Sequence, residues 1–383
     1  MGYVAVKGGM EAIQAAEDLV QDRETSPDAP ALTVRQILAQ QRALVDQAMS
    51  EGSLYAPELA ALAVKQAEGD TMEAAFLLRA FRSTLPRIGD TLPADGGEMR
   101  IRRRVSSTFK DIPGGQVLGR TRDYTQRLLD FSLMDNRSSF PIAHAAQRAS
   151  AFASGDGSAS ARTLPAPPIF PKVSSWLRAD GLLPPLPATP PESEPFDVTR
   201  NSLVYPFPRS ARLQTMARGE TGAMVAFSYS SLRGRGFHPI PGDLRVGALP
   251  FRIAHPLTGT PVRVGEVTVT EVEMINKTGE QEHGKAGGMD GTFSLAYGLV
   301  FGQNERKAIA MSVLDGLLME HSHRLPVHNP EFVLYHIDGI EAQGFVEHLK
   351  LPHYVTFQSS LDKMRYFQNL HNARQEEAHG RAR

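Results

Sequence analysis

Proline is concentrated in one stretch of this 383-residue chain, and that stretch divides the sequence into two differently patterned parts. Between residues 152 and 196 the chain contains SGDGSASARTLPAPPIFP and, further on, LLPPLPATPPESEP. Proline at this density disfavours both a helix and a central strand, because each ring fixes φ and removes a backbone donor. We therefore predict a linker or a long extended arm over residues 151–200, anchored in part by Trp176 and Leu177.

The region before this arm, residues 1–150, has the spacing of helices. YVAV at 3–6 and Gly8-Gly9 predict a short strand and a turn, and an Ala-rich periodic run predicts a helix to about Asp22. Thr33 and Gln36 have the spacing of a capping box, and further helices are predicted at about 57–67 and 70–83. This region is predicted to be mainly helical, with a basic Gly-Gly segment.

The region after the arm, residues 201–370, mixes two periodicities. Apolar runs lie at 223–232, 244–253, 262–275 and 293–301, and the third alternates with period two, as a half-buried antiparallel strand does. The segment NERKAIAMSVLDGLLMEH then has helical spacing, with Asn304 as its cap. We predict an α+β fold, with a mixed or antiparallel sheet and helices in this half. Residues 371–383 are predicted to form a flexible tail.

Composition excludes several classes of chemistry and partner. The chain has no cysteine, which excludes disulfides, thiolate zinc sites, a self-held iron-sulfur cluster and cysteine nucleophiles. Its formal net charge of -1 provides no field that attracts nucleic acid or an anionic membrane, so neither is predicted as a partner. Neither a signal peptide nor an apolar stretch of about 18 residues is visible, and a cytoplasmic location is the default expectation.

Residues 99–120, MRIRRRVSSTFKDIPGGQVLGR, are strongly basic. The side chains concerned are Arg100, Arg102, Arg103, Arg104 and Lys110, ahead of Gly114 and Gly115. Strand alternation places Arg102 and Arg104 on one face and Arg103 on the other. Two interpretations stand: a solvated surface strand, or a phosphate cradle made of guanidinium forks and closely approaching glycine amides.

A second candidate phosphate site lies at 297–312, YGLVFGQNERKAIAMS. A strand that leads through Gly302 into a helix capped at Asn304 leaves backbone N–H groups free at the helix start, where an anion is favoured. Arg306 and Lys307 add positive charge there. The alternative is an ordinary turn between a strand and a helix.

GEQEHGKA at 279–286 comes close to a P-loop pattern, but we reject it. Ala286 stands where Ser or Thr would hold magnesium, and Glu280 and Glu282 would repel phosphate. We interpret this segment as a loop between strands.

Histidines near the C-terminus suggest metal binding. HSHRLPVH supplies His321, His323 and His328, which suit either a loop metal site or ordinary surface positions. In EHLKLPHYVTF, His348 and His353 are five residues apart, so a continuous helix would turn them roughly 140° from each other. Pro352 ends such a helix near Lys350 and makes Leu351 extended, so a turn can bring the two imidazoles together at a metal; the alternative is two histidines that happen to lie near a turn. Zinc needs three or four protein ligands, and this segment supplies two.

Seven segments together resemble one family. They are YVAVKGG, EGSLYAPELAALAVKQAEGD, TFKDIPGGQVLG, RLLDFSL, ARGETGA, YGLVFGQNERKAIAMS and GFVEHLKLPHYVTFQ. In this order they resemble the PhnI family, core subunits of the bacterial carbon-phosphorus lyase complex. The resemblance runs from residue 1 to about 365 and leaves out the arm at 152–196 and the tail.

The resemblance implies a function in phosphonate catabolism. With companion subunits, such a protein replaces the adenine of MgATP by an alkylphosphonate at the anomeric carbon of the ribose; alone, it releases the base from purine nucleotides. The resemblance also implies that His348 and His353 bind zinc and face the subunit that later cuts the carbon-phosphorus bond, in a hetero-oligomer with two copies of this chain. Substrate, water or the partner then completes the zinc shell.

Such a reaction brings a phosphonate anion toward a triphosphate. We therefore expect phosphate contacts from Arg102, Arg103, Lys110, Gly302, Arg306 and Lys307. The departing adenine needs a proton, for which Asp111, Glu220, Asp290 and Glu305 are candidate donors. Their alternative roles are helix capping and surface solvation. Two rival functions remain open, namely a noncatalytic scaffold and a zinc-dependent phosphoesterase.

Overall fold

The structure is a computed structural model that describes residues 9–24, 31–125, 127–129, 131–134, 170–187, 195–233, 238–277, 291–320 and 325–381. Its helices are α1 (Gly9–Glu24), α2 (Val34–Gln40), α3 (Arg42–Gly52), α4 (Pro57–Gln66), α5 (Thr71–Ser83), α6 (Val173–Ala179), α7 (Arg209–Arg218), α8 (Thr221–Leu232), α9 (Glu305–Met319), α10 (Pro330–His336), α11 (Gly339–Glu347) and α12 (Tyr354–Arg381). Its strands are β1 (Arg100–Val105), β2 (Ile240–Ala254), β3 (Pro261–Lys277) and β4 (Phe293–Phe301). Short 3-10 helices occupy Gly96–Glu98, Phe131–Met134, Pro326–His328 and His348–Lys350. The strand predicted at 3–6 lies outside the described residues.

Helices α2 to α5 pack into one helical unit. Its core is aliphatic and rich in alanine: Ile37, Val45, Ala48, Met49, Ala60, Ala61, Ala63, Val64, Ala67, Ala74 and Leu78. The predicted capping box is confirmed, since Gln36 N donates to Thr33 Oγ1 at 3.2 Å and Thr33 N donates to Gln36 Oε1 at 2.8 Å. Gln41 leaves helical geometry, with φ -106° and ψ 41°, and separates α2 from α3.

The four strands form an antiparallel sheet in the order β1-β2-β3-β4. The alternating run at 262–275 is confirmed as a strand within β3, whereas the apolar run at 223–232 is part of helix α8. The N-terminal region supplies β1, which pairs with β2. The sheet therefore joins the two regions that the proline-rich stretch separates in sequence.

Helix α9 covers one face of the sheet and forms the main core with it. The buried residues on both sides include Leu244, Val246, Val272, Met274, Ala296, Val300, Met311, Leu314 and Leu317. Eleven of the fifteen residues of α9 are buried, so the helix is enclosed on all sides. Its apolar residues accordingly lie all around it and do not form a single stripe.

The opposite face of the sheet carries buried ion pairs. Arg245 pairs with Glu271, and Lys172 Nζ lies 2.9 Å from Glu271 Oε1 and 2.6 Å from Glu273 Oε1. Tyr297 Oη donates to Glu271 Oε1 at 3.0 Å; burial and then the Glu271 charge raise the Tyr297 pKa well above its usual value. The buried charges on this face are thus paired with charges of opposite sign within the protein.

The predicted proline-rich arm contains a helix, contrary to the expectation that proline excludes one there. Helix α6 falls between Pro171 and Pro184, where the sequence has no proline. The predicted anchoring by Leu177 is confirmed because its side chain is buried with Val173 against Ile275 of β3. Trp176 is half-exposed and makes an edge-to-face contact with Phe109, with ring centres 6.2 Å apart.

The C-terminal segment differs from its prediction. Helix α12 continues to Arg381, whereas a flexible tail was expected from residue 371. Bonds along the helix hold it locally, including Gln375 Nε2 to His371 Nε2 at 3.0 Å and His379 Nδ1 to Gln375 O at 3.0 Å. Local spacing of this kind favours a helix even where nothing packs against it.

The α+β fold class is confirmed. Among the helices in the described part of the chain, none has the length and apolar character required to cross a bilayer.

Candidate functional site: an arginine cleft and a histidine turn

A cleft lies between helices α2–α3 and the sheet, and four arginines line it. We call it the arginine cleft; it encloses about 590 Å³. Its lining residues are Leu38, Arg42, Val45, Asp46, Met49, Tyr55, Pro57, Arg102, Arg103, Gly119, Arg120, Val246, Thr268 and Gln303. This volume is within the range of about 300–1,000 Å³ that is typical of small-molecule sites.

A bulge in β1 determines which arginines reach the cleft. The register with β2 shifts between Ile101 and Arg103, so Arg102 is exposed while Arg103 and Arg104 are both buried. The predicted alternation, with Arg102 and Arg104 on one face, is therefore wrong. An extra residue in one strand, a β-bulge, interrupts the alternation of side chains between the two faces of the sheet.

The buried arginines have internal partners. Arg104 Nε donates to Asp243 Oδ1 at 2.7 Å, and its other nitrogens donate to Pro113 O and Pro171 O. Arg103 pairs with Asp123 and places Nε 2.9 Å from Glu305 Oε1. Arg103 lines the cleft, but its charge is already offset.

Two other arginines of the cleft have no such partner. Arg102 makes one long contact, from NH1 to Thr268 Oγ1 at 3.4 Å, and Arg120 is exposed. Among the described residues, neither has a carboxylate within ion-pair distance. Arg42, by contrast, is 2.9 Å from Asp46. Arg102 and Arg120 therefore supply the uncompensated positive charge of the cleft.

The turn at Gly302 places Gln303 on one side of the cleft. Gln303 N donates to Asp46 Oδ2 at 3.0 Å and Asn304 N donates to Thr270 Oγ1 at 2.9 Å. Protein side chains thus accept from the two N–H groups that precede α9, while an anion at the N–H groups of its first turn stays a prediction. Asn304 holds the predicted cap position without a side-chain capping bond.

The remaining predicted phosphate contacts lie elsewhere. Lys307 is completely buried, and its Nζ donates to Ser50 Oγ at 2.9 Å, so it does not face the cleft. Burial lowers its pKa to about 8, although the Glu51 charge acts in the opposite direction. Lys110 and Arg306 are exposed and do not line the cleft. Of the six predicted contacts, the structure brings together Arg102, Arg103 and the turn at Gly302.

The candidate proton donors have other roles. Glu220 caps α8 by accepting from Gly222 N at 2.6 Å and Ala223 N at 2.5 Å, and Glu305 is engaged with Arg103 and Gln303. Asp111 is exposed, and Asp290 lies outside the described residues. The placements of Glu220 and Asp111 match the alternative roles, capping and surface solvation, whereas Glu305 is part of an ion pair.

Asp46 is the carboxyl group that sequence reasoning missed. It lines the cleft and is 8% exposed; burial raises its pKa, and the bonds from Gln303 N and Arg42 lower it less. The spacing of Arg42 and Asp46, four apart on α3, indicated an ion pair on a helix face. No local pattern indicated that the turn at Gly302, 256 residues further along the chain, would bury that face.

The histidine turn, residues His348 to His353, has the predicted backbone. Helix α11 ends at Glu347, a 3-10 turn follows to Lys350, and Leu351 is extended at φ -75° and ψ 152° before Pro352. The ring centres of His348 and His353 are 5.5 Å apart. Two imidazoles that share a tetrahedral zinc at about 2.0 Å per nitrogen have centres about 5 Å apart, so the separation fits.

The hydrogen bonds of the two rings also fit metal binding. His348 Nδ1 donates to Phe345 O, and His353 Nδ1 donates to Leu351 O at 2.5 Å. A carbonyl bonded to Nδ1 fixes the tautomer and leaves the Nε2 lone pair available to a metal. Within the described ranges, no third His, Asp or Glu joins them in a cluster.

The other histidine cluster is not formed by the described residues. His328 is buried in the turn Pro326–His328, while His321 and His323 lie outside the described residues. The metal interpretation of that segment stays a prediction.

Fold and site together define an α+β protein with a cationic cleft of small-molecule size and a paired-histidine turn. The profile of the family described as "Bacterial phosphonate metabolism protein (PhnI)" matches residues 2–371. The chain belongs to this family, as its resemblance predicted.

Three similar proteins match the chain over nearly their whole length. The chain is 47% identical to "Putative C-P lyase subunit protein HtxH" of Stutzerimonas stutzeri, over 96% of each chain. It is 43% identical to "Alpha-D-ribose 1-methylphosphonate 5-triphosphate synthase subunit PhnI" of Escherichia coli (strain K12), over 97% of this chain and 99% of that one. The subunit of the same name from Rhizobium meliloti (strain 1021) is 42% identical, over 97% and 96%.

Proposed function

We propose that this chain is a subunit of a carbon-phosphorus lyase core complex and catalyses nucleotide ribosyl transfer. An alkylphosphonate displaces the adenine of MgATP and gives ribose 1-alkylphosphonate 5-triphosphate. By itself, the chain hydrolyses purine nucleotides to release the base. The names of its relatives, synthase subunits and a lyase subunit, support this proposal.

The arginine cleft is the observation that carries the proposal. Two like charges 4 Å apart repel by about 4 kcal/mol at an effective dielectric of 20, so a phosphonate and a triphosphate need local positive charge to approach each other. Arg102 and Arg120 supply that charge without a protein carboxylate against them, on a chain whose net charge is -1. Guanidinium groups are well suited to bidentate phosphate binding.

The chemistry requires one bond to form and one to break. A phosphonate oxygen, already ionised, forms a bond to the anomeric carbon, and the bond from that carbon to adenine breaks with its electron pair on the base. The base then takes up a proton. Asp46 is suited to donate it, because burial favours its neutral form and Oδ2 accepts the bonds from Arg42 and Gln303, which leaves Oδ1 to carry the proton. In that neutral form Asp46 no longer offsets Arg42, whose charge then adds to that of Arg102 and Arg120.

We assign His348 and His353 as two zinc ligands through Nε2. The ring spacing and the two Nδ1 bonds support this assignment. Water, substrate or a partner subunit completes the shell, and the zinc supplies Lewis-acid chemistry when bound.

The partners follow from the same proposal. They are the other lyase core subunits, in a hetero-oligomer with two copies of this chain, and the substrates are ATP, bound with Mg²⁺, and an alkylphosphonate. A cytoplasmic location stays a prediction.

Chromatography of nucleotide products tests the function against its rivals. The chain, assembled with its companion subunits and given MgATP and methylphosphonate, should release adenine and form a ribose triphosphate adduct. Release of inorganic phosphate in place of adenine would indicate a phosphoesterase, and no turnover would indicate a scaffold. Arg102→Gln should weaken MgATP binding about tenfold. Arg100→Gln is the matched control, because Arg100 is on the same strand, pairs with Glu266 and lies outside the cleft.

A further inference from the structure

A second polar pocket lies at the other end of α3 from the arginine cleft. We call it the Arg218 pocket; it encloses about 540 Å³. The polar residues that line it include Arg200, Asn201, Ser202, Arg218, Asp338 and Glu341. Arg42 of the cleft begins α3, whereas Arg82 beside this pocket donates to Ser53 O just after α3. The two pockets share no lining residue, so the two sites are separate.

The pocket contains a guanidinium group whose hydrogen bonds are incomplete. Arg218 NH1 donates to Val198 O at 3.2 Å, but Arg218 Nε is buried without an acceptor among the described residues. A buried donor of a charged group that lacks a partner is costly to the fold. Because Nε itself has almost no exposed surface, an anion in the pocket would offset the charge of the guanidinium rather than bond to Nε.

Positive charge is in excess around this group. Arg79 and Arg82 lie close enough to Arg218 that their charges, after burial, lower its pKa to about 10. Arg82 donates to Ser53 O and, like Arg218, has no ion pair among the described residues. Two guanidinium groups therefore share the site without carboxylates of their own.

The nearby carboxylates already have other partners. Asp338 accepts two bonds from Arg79 NH1, both at 2.9 Å. Asp197 accepts from Arg87 at 2.6 Å and from Thr199 Oγ1 at 2.6 Å. Glu341 lines the opposite side and is exposed. These groups reduce the excess charge but leave Arg218 and Arg82 without a direct counterion.

We propose that the Arg218 pocket binds a small tetrahedral oxyanion, a phosphate or phosphonate group, at a site distinct from the arginine cleft. Such a group pairs with the guanidinium of Arg218, which lines the pocket, and neutralises the charge that Arg218 and Arg82 share. Asn201 and Ser202 line the same pocket and supply further polar groups. The ligand is either free phosphate or the phosphonate substrate before it reacts, and both have the same chemistry.

Thermal unfolding and titration calorimetry on the full chain test the site. Phosphate and methylphosphonate, each compared with chloride at equal ionic strength, should raise the melting temperature and bind with a measurable Kd. Whichever binds more tightly identifies the source of the ligand. Arg218→Gln should weaken binding at least tenfold, and Arg82→Gln severalfold through loss of positive charge. Arg200→Gln, an exposed arginine in the same pocket, should change binding less than twofold.

A purely structural role makes different predictions. If Arg218 serves ligand binding, Arg218→Gln in chloride should melt at the same temperature as the parent or higher, because a charge with incomplete hydrogen bonds is no longer buried. If Arg218 only stabilises the fold, the variant should melt at a lower temperature. Should Arg218→Gln not fold, Arg82→Gln decides. The proposed site is wrong if phosphate and methylphosphonate raise the melting temperature no more than chloride does. It is also wrong if neither Arg218→Gln nor Arg82→Gln weakens their binding, or if ATP binds and the two small anions do not. The readout is independent of adenine release, so failure of the proposed function leaves this test unaffected.

Discussion

Gly302 links the helical unit to the sheet through a contact that other residues do not permit. Its φ is +74°, and a Cβ there would lie 2.5 Å from both Cγ and Oδ1 of Asp46. The carboxyl group of Asp46 occupies that space in order to accept from Gln303 N. The absence of a side chain at Gly302 thus positions both the turn and the carboxyl group of the cleft.

Gly302→Ala should lower the free energy of unfolding by about 3 kcal/mol, as the sum of left-handed strain and overpacking. Gly115→Ala is the matched control, because Gly115 also has φ +74° but has no atom within 4 Å of a Cβ. That control should lose only about 1 kcal/mol. Urea unfolding of both variants measures the difference, and equal losses would show that the Asp46 contact does not matter.

Lys307 lies in a segment with the pattern of a phosphate site, but its side chain points into the protein core and not toward a cleft. It is wholly buried at the junction of α3 and α9, where its partners are Ser50 and the charge of Glu51. Its folded-state pKa of about 8 is below the unfolded value of 10.5, so the unfolded chain binds more protons between these pH values. Stability contributed by this group therefore rises with pH through that window.

This sign gives a prediction for the double variant Glu51→Gln/Lys307→Met, which removes both buried charges. Relative to that variant, the parent chain should gain about 2 kcal/mol of unfolding free energy between pH 7.5 and pH 9.5, at about 1.4 kcal/mol per pH unit above the folded pKa. Chemical unfolding of the two proteins across this range measures the gain. A constant difference would mean that Lys307 titrates as it does in the unfolded chain.

At the scale of elements, local signals in the sequence were sufficient for some features. The Thr33 capping box, the alternating strand β3 and the stop before Pro352 depend on neighbours within a few residues, and the structure confirms all three. The bulge in β1 was not predictable, because it arises from pairing with β2, about 140 residues away. For the same reason the burial of Lys307 and the position of Asp46 needed the tertiary structure.

The histidine turn depends on one proline, which suggests a variant that leaves both ligands in place. Pro352→Ala allows the helical turn to continue into α12, and five helical residues rotate His353 by roughly 140° from His348. Zinc content of the assembled complex, measured by mass spectrometry, should then fall by more than half. His348→Ala and His353→Ala should do the same.

Two controls accompany that measurement. Pro330→Ala removes a proline from the first turn of α10. His336→Ala removes a histidine whose Nδ1 also bonds to a backbone carbonyl, Phe332 O, but which has no other histidine paired with it among the described residues. Both should keep the parent zinc content. Full zinc content in Pro352→Ala would contradict the assignment of the turn.

For the whole molecule, one of the surfaces with strongly exposed apolar side chains surrounds the histidine turn, where the proposed zinc site has two ligands from this chain. Phe345, Leu349, Val355 and Phe357 are each at least 65% exposed and flank the histidine turn. Contiguous apolar side chains of this kind mark an interaction surface. A companion subunit bound there would cover them and stand close enough to add a ligand to His348 and His353.

The double variant Phe345→Asp/Phe357→Asp should therefore bind the companion subunits at least tenfold more weakly, because each large aromatic at the centre of an interface typically contributes about 2 kcal/mol or more. Leu257→Asp is the matched control: Leu257 is 90% exposed in the turn between β2 and β3, far in sequence from the histidines. Co-purification with tagged companion subunits measures retention, and circular dichroism of each variant confirms folding. Equal retention of the two variants would place the companion subunit on another surface, and the zinc shell would then need a different source for its remaining ligands.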